Sequence, residues 1–158
     1  MRKTFFDCLY KEMEKNEDIY LIFVDLGWPR TDEFFKKYPK RAFSTGASEQ
    51  TALDIAVGLV YAGKIPIIYT ISPFYLRAFE TIRTHINHNN LHVIMVGAGV
   101  NDDYSKDHGY SHYAGDIPEI MATQKNIIQH YPEDIEQLKD DVDLAINISK
   151  PHFLNVKR

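Results

Sequence analysis

Three places in the sequence put groups capable of chemistry where a ligand could reach them. The first is Glu49, in Gly46-Ala-Ser-Glu-Gln-Thr-Ala-Leu-Asp-Ile-Ala-Val-Gly-Leu-Val60. Only Asp54 and Gly58 interrupt the aliphatic positions from Ala52 to Val60. Two readings of Glu49 stand open. It is either a first-turn carboxylate favoured by the helix dipole, with Ser48 or Thr45 as cap, or an acid shut away from water that can share a proton with a ring nitrogen of a bound ligand. The second place is Ser72-Pro-Phe-Tyr-Leu-Arg-Ala-Phe79, where Phe74 offers a ring for stacking a flat ligand. Arg77 reads from its neighbours as a surface ion pair with Glu80. The third is Asp107-His-Gly-Tyr-Ser-His112. Its Asp107, His108 and His112 raise the question of a metal, but their spacing is no recognisable zinc pattern, so none is expected.

Positioning these groups requires alternating strands and helices. Residues 2–15 carry Phe5, Cys8, Leu9 and Met13 at helical spacing. Ile19–Val24 is a continuous apolar run that ends at Asp25-Leu-Gly27, which reads as a buried strand and its turn. A short helix is expected over 31–38 with Thr31 as its cap, then a strand Ala42–Thr45. A helix Glu49–Ala62 follows, closed by Gly63. Strand Ile65–Ile71, helix Phe74–Asn87 and strand Leu91–Val96 come next. A long loop over 98–115 precedes helix Ile117–Thr123, strand Ile127–His130, helix Asp134–Ser149 and strand Phe153–Val156.

Continuous apolar strands between helices imply an α/β three-layer sandwich, a mainly parallel sheet with helices on both faces, in one domain over residues 1–158. In such a sheet the loops after successive strands open on the same, C-terminal edge. Glu49 and Phe74 could therefore meet one flat ligand. A helix apolar all round needs cover on every side, and in a chain of 158 residues part of that cover is expected from another subunit.

The net charge of −4 leaves no excess of Lys and Arg to neutralise phosphates, which argues against nucleic acid or a membrane surface as partner. The early charges at Asp7 and Lys11 leave no signal peptide or membrane span in view. Cys8 is the single cysteine and sits on the apolar stripe with Phe5 and Leu9, so it reads as packing. A reducing, cytoplasmic compartment is the simpler reading. The aromatic content of 13% fits either a core or a surface shared between chains.

The motifs Asp25-Leu-Gly, Thr45-Gly-Ala-Ser-Glu-Gln, Gly63-Lys-Ile-Pro, Tyr69-Thr-Ile-Ser-Pro-Phe and Phe79-Glu-Thr-Ile-Arg83 occur here in one order. That ordered set resembles the pyrimidine-binding domain of transketolases and deoxyxylulose-phosphate synthases, enzymes that use thiamine diphosphate. Gly109-Tyr-Ser-His112 resembles their Gly-x-Thr-His loop, and Lys150-Pro-His-Phe-Leu-Asn-Val-Lys-Arg158 resembles the strand that ends the domain. The resemblance implies that Glu49 bonds a nitrogen of the cofactor's aminopyrimidine and promotes loss of the thiazolium proton. It implies that Phe74 stacks on the pyrimidine, and that Asp25 and Leu26 border the cofactor. It further implies that Arg77 lies near a substrate phosphate and that His112 contacts a sugar hydroxyl. Where many members have Asp-Gly-x-Thr-His, this chain has Asp107-His-Gly-Tyr-Ser-His112. Whether Asp107 or His108 faces the substrate is therefore left open.

Family members hold the diphosphate through Mg2+ or Ca2+ with a Gly-Asp-Gly sequence on another domain. Here Gly115-Asp-Ile lacks the second glycine, and no Gly-x-x-x-x-Gly-Lys-Ser/Thr loop occurs. The resemblance therefore implies half of an active site, with the metal bound only by a partner that carries the diphosphate-binding domain, in a homo- or hetero-oligomer. The expected activity is transfer of a two-carbon ketol unit between sugars or sugar phosphates, with the isolated chain inactive. The alternatives are a subunit of a 2-oxo-acid decarboxylase or dehydrogenase, and a non-catalytic scaffold of the same fold.

Overall fold

The computed structural model describes residues 1–26 and 31–158. Gly27 of the Asp25-Leu-Gly motif lies outside them. The elements are α1 (Arg2–Lys15), β1 (Ile19–Phe23), α2 (Thr31–Lys37), β2 (Ala42–Ser44), α3 (Glu49–Tyr61) and β3 (Ile65–Ile71). A composite helix follows, made of a 3₁₀ stretch (Ser72–Ala78), one α-turn (α4, Phe79–Thr81) and a π stretch (Ile82–Asn87). Then come β4 (Ile94–Ala98), α5 (Ser105–His108), a 3₁₀ turn (Tyr110–His112), α6 (Ile117–Ala122), β5 (Ile128–His130), α7 (Ile135–Asn147) and β6 (His152–Val156).

The strands form one six-stranded sheet in the order β2-β1-β3-β4-β6-β5, and every neighbouring pair is parallel. Both faces are covered, which is why the strands read as unbroken apolar runs. One face packs Phe5, Phe6, Leu9 and Met13 of α1, Phe34 of α2 and Leu138 and Val142 of α7 onto Leu21, Phe23, Ile67, Tyr69 and Leu154. The other packs Ala52, Leu53 and Ala56 of α3, Ile82 and Ile86 of the composite helix and Met121 of α6 onto Ile22, Ile68, Met95 and Phe153. The expected three-layer α/β sandwich is the fold found.

Pro66 sits inside a central strand without loss. Ile65 N–H donates to Asp18 O on the β1 side, so by alternation the missing donor of Pro66 faces β4, whose pairing begins one residue later at Ile67. The C-terminus of α3 closes as expected. Gly63 (φ +75) donates to Val60 O and Lys64 to Leu59 O, the paired bonds of a Schellman ending, which wants a left-handed residue there.

Several boundaries differ from the expected ones. The helix expected at Phe74 starts at Ser72, where Pro73 in the first turn gives up no helical bond. Its end is wound with five-residue spacing, Leu91 N–H to Ile86 O at 3.0 Å. That consumes Leu91 as a closing residue, so β4 begins at Ile94 and runs to Ala98 rather than spanning 91–96. The 98–115 loop contains two short helical turns, α5 and Tyr110–His112. Asp134 caps α7 from outside by accepting from Gln137 N–H at 2.9 Å. Thr31 is the first residue of α2, and the residues preceding it lie outside the described ones.

The aromatic surplus goes largely into the core. Phe6, Phe23, Phe34 and Tyr69 form one set of neighbouring rings, all buried. Cys8 packs partly buried against the same cluster. Among the described residues, no helix is long and apolar enough to cross a membrane.

Candidate functional site

Glu49 opens α3, and Phe74 and Arg77 lie on the 3₁₀ stretch after β3. The crossover from β3 into the composite helix thus brings the second group to the first along the C-terminal edge of the sheet. Glu49 is buried, with 6% of its surface exposed. Arg77 Nη1 donates to Glu49 Oε1 at 2.5 Å, and the Arg77 guanidinium carbon lies 3.9 Å from the centroid of the Phe74 ring. The expected pairing of Arg77 with Glu80 is corrected by this contact. The 3₁₀ winding places Arg77 over Phe74, three residues back, where a buried carboxylate with an open lone pair outcompetes an exposed one.

The capping expectation is also corrected. Ser48 precedes the helix but forms no side-chain cap; its hydroxyl donates to Thr51 Oγ1 at 2.7 Å. Nor is α3 enclosed on all sides by this chain. Ala52, Leu53 and Ala56 are buried, Ile55, Val57 and Leu59 are half-buried, and Tyr61 is 70% exposed.

His112 joins the pair from the other side. Its ring lies 5.0 Å from that of Phe74, at 67°, and the ring of His108 lies 5.1 Å from it. Burial first, and then the neighbouring His108 and Arg77, push the His112 imidazole below its ordinary value, which favours its neutral form near pH 7. Asp107 is turned to Arg158 instead, Oδ2 to Nη1 at 3.0 Å, and that bond holds its carboxyl below the usual range. So His108, not Asp107, shares space with His112. Among the described residues no group of three His, Cys, Asp or Glu could hold a metal ion.

Asp25 and Leu26 do not sit in this cluster but line a recess at the ends of β1 and β2, with Phe23, Phe35, Ser44 and Gly46. Asp25 takes a left-handed backbone, φ +46, which an Asp tolerates better than most residues.

Three residues, Ser72, Gly97 and Asn155, meet in a positioning contact that the sequence does not announce. Ser72 Oγ lies 2.7 Å from Gly99 O and 2.7 Å from Asn155 Oδ1, tying the exit of β3 to the ends of β4 and β6. Gly97 leaves room for that serine, since a Cβ there would lie 2.6 Å from Ser72 Oγ. Their signal is long-range, spread over separations of 27 and 83 residues, which local patterning cannot carry.

A buried acid and a ring stand together at the C-terminal edge of a parallel sheet, the edge at which α/β folds bind ligands. The whole chain, residues 1–158, matches the family described as transketolase, pyrimidine binding domain; the chain belongs to that family. It is 29% identical to a putative transketolase C-terminal section of Methanocaldococcus jannaschii, across all of this chain and 50% of that one. It is 27% identical to one subunit of the apulose-4-phosphate transketolase of Actinobacillus succinogenes, across 78% of this chain and 40% of the other. The fold superposes on a split-gene transketolase, an inactive beta4 tetramer, with a TM-score of 0.86 at 29% identity, covering 99% of this chain and 50% of that chain. Transketolase from Leishmania mexicana gives the same TM-score at 19% identity, over 25% of its length, and shares the fold. The chain spans half or less of each of these proteins.

Proposed function

We infer that this chain provides the pyrimidine-binding half of a thiamine-diphosphate-dependent transketolase-type active site, working in the cytoplasm with a partner that carries the diphosphate-binding domain. Together they would transfer a two-carbon ketol unit between sugars or sugar phosphates. The observation that carries the reading is the buried Glu49 carboxylate, aimed at a planar group lying over Phe74.

The residues fit the pyrimidine half of the cofactor and not its diphosphate. A buried carboxylate can exchange a proton with a weakly basic ring nitrogen, and Phe74 supplies the face for the ring. When bound, thiamine diphosphate supplies a carbon nucleophile that cleaves the bond beside a ketone carbonyl. Glu49 would share a proton with a ring nitrogen of the bound pyrimidine. His112, neutral for the reasons given, accepts a hydrogen bond from a substrate hydroxyl, with His108 beside it. Arg77 offers a cation to an anionic substrate end, while Asp107, engaged by Arg158, shapes the loop. Asp25 and Leu26 border the cofactor from the neighbouring strand end. Mg2+ or Ca2+ belongs to the partner. The open, partly apolar face of α3 supports contact with another chain.

To test this, the chain is combined with a partner bearing Gly-Asp-Gly, and ketol transfer is measured beside carbon dioxide release. Glu49→Gln is expected to lower kcat by about 10²–10⁴ while the complex still assembles. Carbon dioxide release from a 2-oxo acid without ketol transfer would favour the decarboxylase alternative. Unchanged activity in Glu49→Ala would reduce the chain to a scaffold.

A further inference from the structure

We propose that Arg77 is a built-in stand-in for the aminopyrimidine: in the uncombined chain its guanidinium occupies the ring's seat between Phe74 and Glu49, and the ring binds only when Arg77 swings out. The proposal rests on the reading of Glu49 and Phe74 as that seat.

The geometry carries it. A guanidinium is planar, presents N–H donors along its edge and stacks on aromatic faces. Here one edge donor reaches Glu49 Oε1 at 2.5 Å, while the plane's centre lies 3.9 Å from the Phe74 centroid. An aminopyrimidine makes the same two demands, a face on Phe74 and an edge nitrogen sharing a proton with Glu49. Both groups cannot be present. A separation of 3.9 Å is one layer of stacked atoms, and Phe74 is only 9% exposed, with the His112 ring 5.0 Å away.

The moving partner is identified by burial. The side chains of Glu49 and Arg77 are 7% and 53% exposed, so the acid is fixed by packing and the long arginine is free to turn towards water. Its release leaves Glu49 without a partner until the ring arrives, which makes exchange of one planar donor for the other a coupled event. The apparent affinity for the cofactor is then reduced by the fraction of molecules in which Arg77 is out. Until then the contact keeps the carboxylate and the aromatic face covered by the chain itself.

The test uses the full chain alone and reconstituted with a partner bearing the diphosphate-binding domain. In the isolated chain, NMR should show slowly exchanging Arg77 side-chain N–H signals that become fast in Glu49→Gln. Arg77 signals equally fast in both proteins would overturn the proposal. In the reconstituted pair, calorimetry with thiamine diphosphate and Mg2+ should find Arg77→Met binding about tenfold tighter than wild type, as expected if Arg77 is out in about a tenth of molecules. With Arg77 already replaced, adding Glu49→Gln should weaken binding. Equal or weaker binding by Arg77→Met than by wild type, with the double variant weaker still, would remove the stand-in and leave the seat. Equal binding by Arg77→Met and the double variant would remove the seat and the proposal with it.

Discussion

Asp107 Oδ2 accepts from Arg158 Nη1 at 3.0 Å, so a carboxylate in the long loop is committed to a residue just beyond β6. The same guanidinium group donates to Asp103 O at 3.0 Å, Arg158 N–H donates to Asp103 Oδ2 at 3.0 Å, and the guanidinium carbon lies 4.9 Å from the Tyr104 ring centroid. Three hydrogen bonds and a stacked ring thus staple the segment before His108 and His112 to the sheet.

Arg158→Ala should therefore loosen the loop without unfolding the domain. Surface charge pairs add little to global stability, so the melting temperature should stay within error. Hydrogen exchange of the amides from Asp103 to Gly109 should speed up several-fold while α7 is unaffected. Exchange that is unaltered in the loop would show that α5 holds itself.

This staple also marks where sequence legibility ends. The parallel sheet, α3 with its Gly63 ending, and Glu49 and Phe74 as candidates are readable because each rests on local periodicity or on a single turn. Arg77 escapes such reading because its partner is 28 residues away and local spacing offers Glu80 first. The Asp107 question stays open for the same reason: Arg158 is 51 residues on. The composite winding of 72–87 is hidden as well, since a 3.6-residue stripe looks the same whether the ends are over- or underwound. The apolar composition of α3 is met only in part within this chain, which buries one face of the helix and leaves Ile55, Val57 and Leu59 half-buried.

Gly97 in β4 should be intolerant of any side chain. A Cβ there would meet Ser72 Oγ at 2.6 Å and the Ser72 Cα at 3.0 Å, and backbone cannot turn aside as a side-chain tip can. Gly97→Ala should cost about 1–3 kcal/mol, the range for overpacking a core, read from the denaturation midpoint. Combining it with Ser72→Ala should recover part of the loss, because the oxygen goes while the clash with the Ser72 backbone remains. Fully additive losses would mean the strain lies elsewhere.

Tyr75 ties the composite helix to the sheet from beneath. Its ring is buried against Phe153, and its hydroxyl lies 2.9 Å from Ile68 O and 3.2 Å from Val96 O. Burial raises its ionisation well above the ordinary range, so it stays a neutral donor. Tyr75→Phe should cost about 1 kcal/mol, the net worth of one buried hydrogen bond, with the native fold retained. A neutral result in urea denaturation would show that the bond contributes nothing.

Acid stability should be governed in part by a buried histidine pair far from the site. His152 is fully buried, and its Nε2 lies 2.9 Å from Ile148 O. A carbonyl only accepts, so that nitrogen carries the proton and Nδ1 must accept from His130 Nε2, 2.9 Å away. His130 in turn meets Asp141 Oδ1 through Nδ1 at 2.8 Å, and the ring of His92 lies 5.9 Å from that of His152. A second proton on His152 has no lone pair to occupy without breaking the His130 bond. Burial first, and then the neighbouring His130 and His92, hold His152 down at about 4, against an ordinary value of 6.5. The unfolded chain therefore takes up this proton below about pH 6.5 and the folded chain only near pH 4, so stability is full above the higher value and falls as pH drops through that window. The loss should reach about 2 kcal/mol by about pH 5, on top of whatever the carboxylates contribute. Urea midpoints from about pH 8 down to about pH 4.5 should show it in wild type, and His152→Asn, whatever its own stability, should lose that part of the slope. An identical slope in the variant would assign the acid sensitivity to other groups.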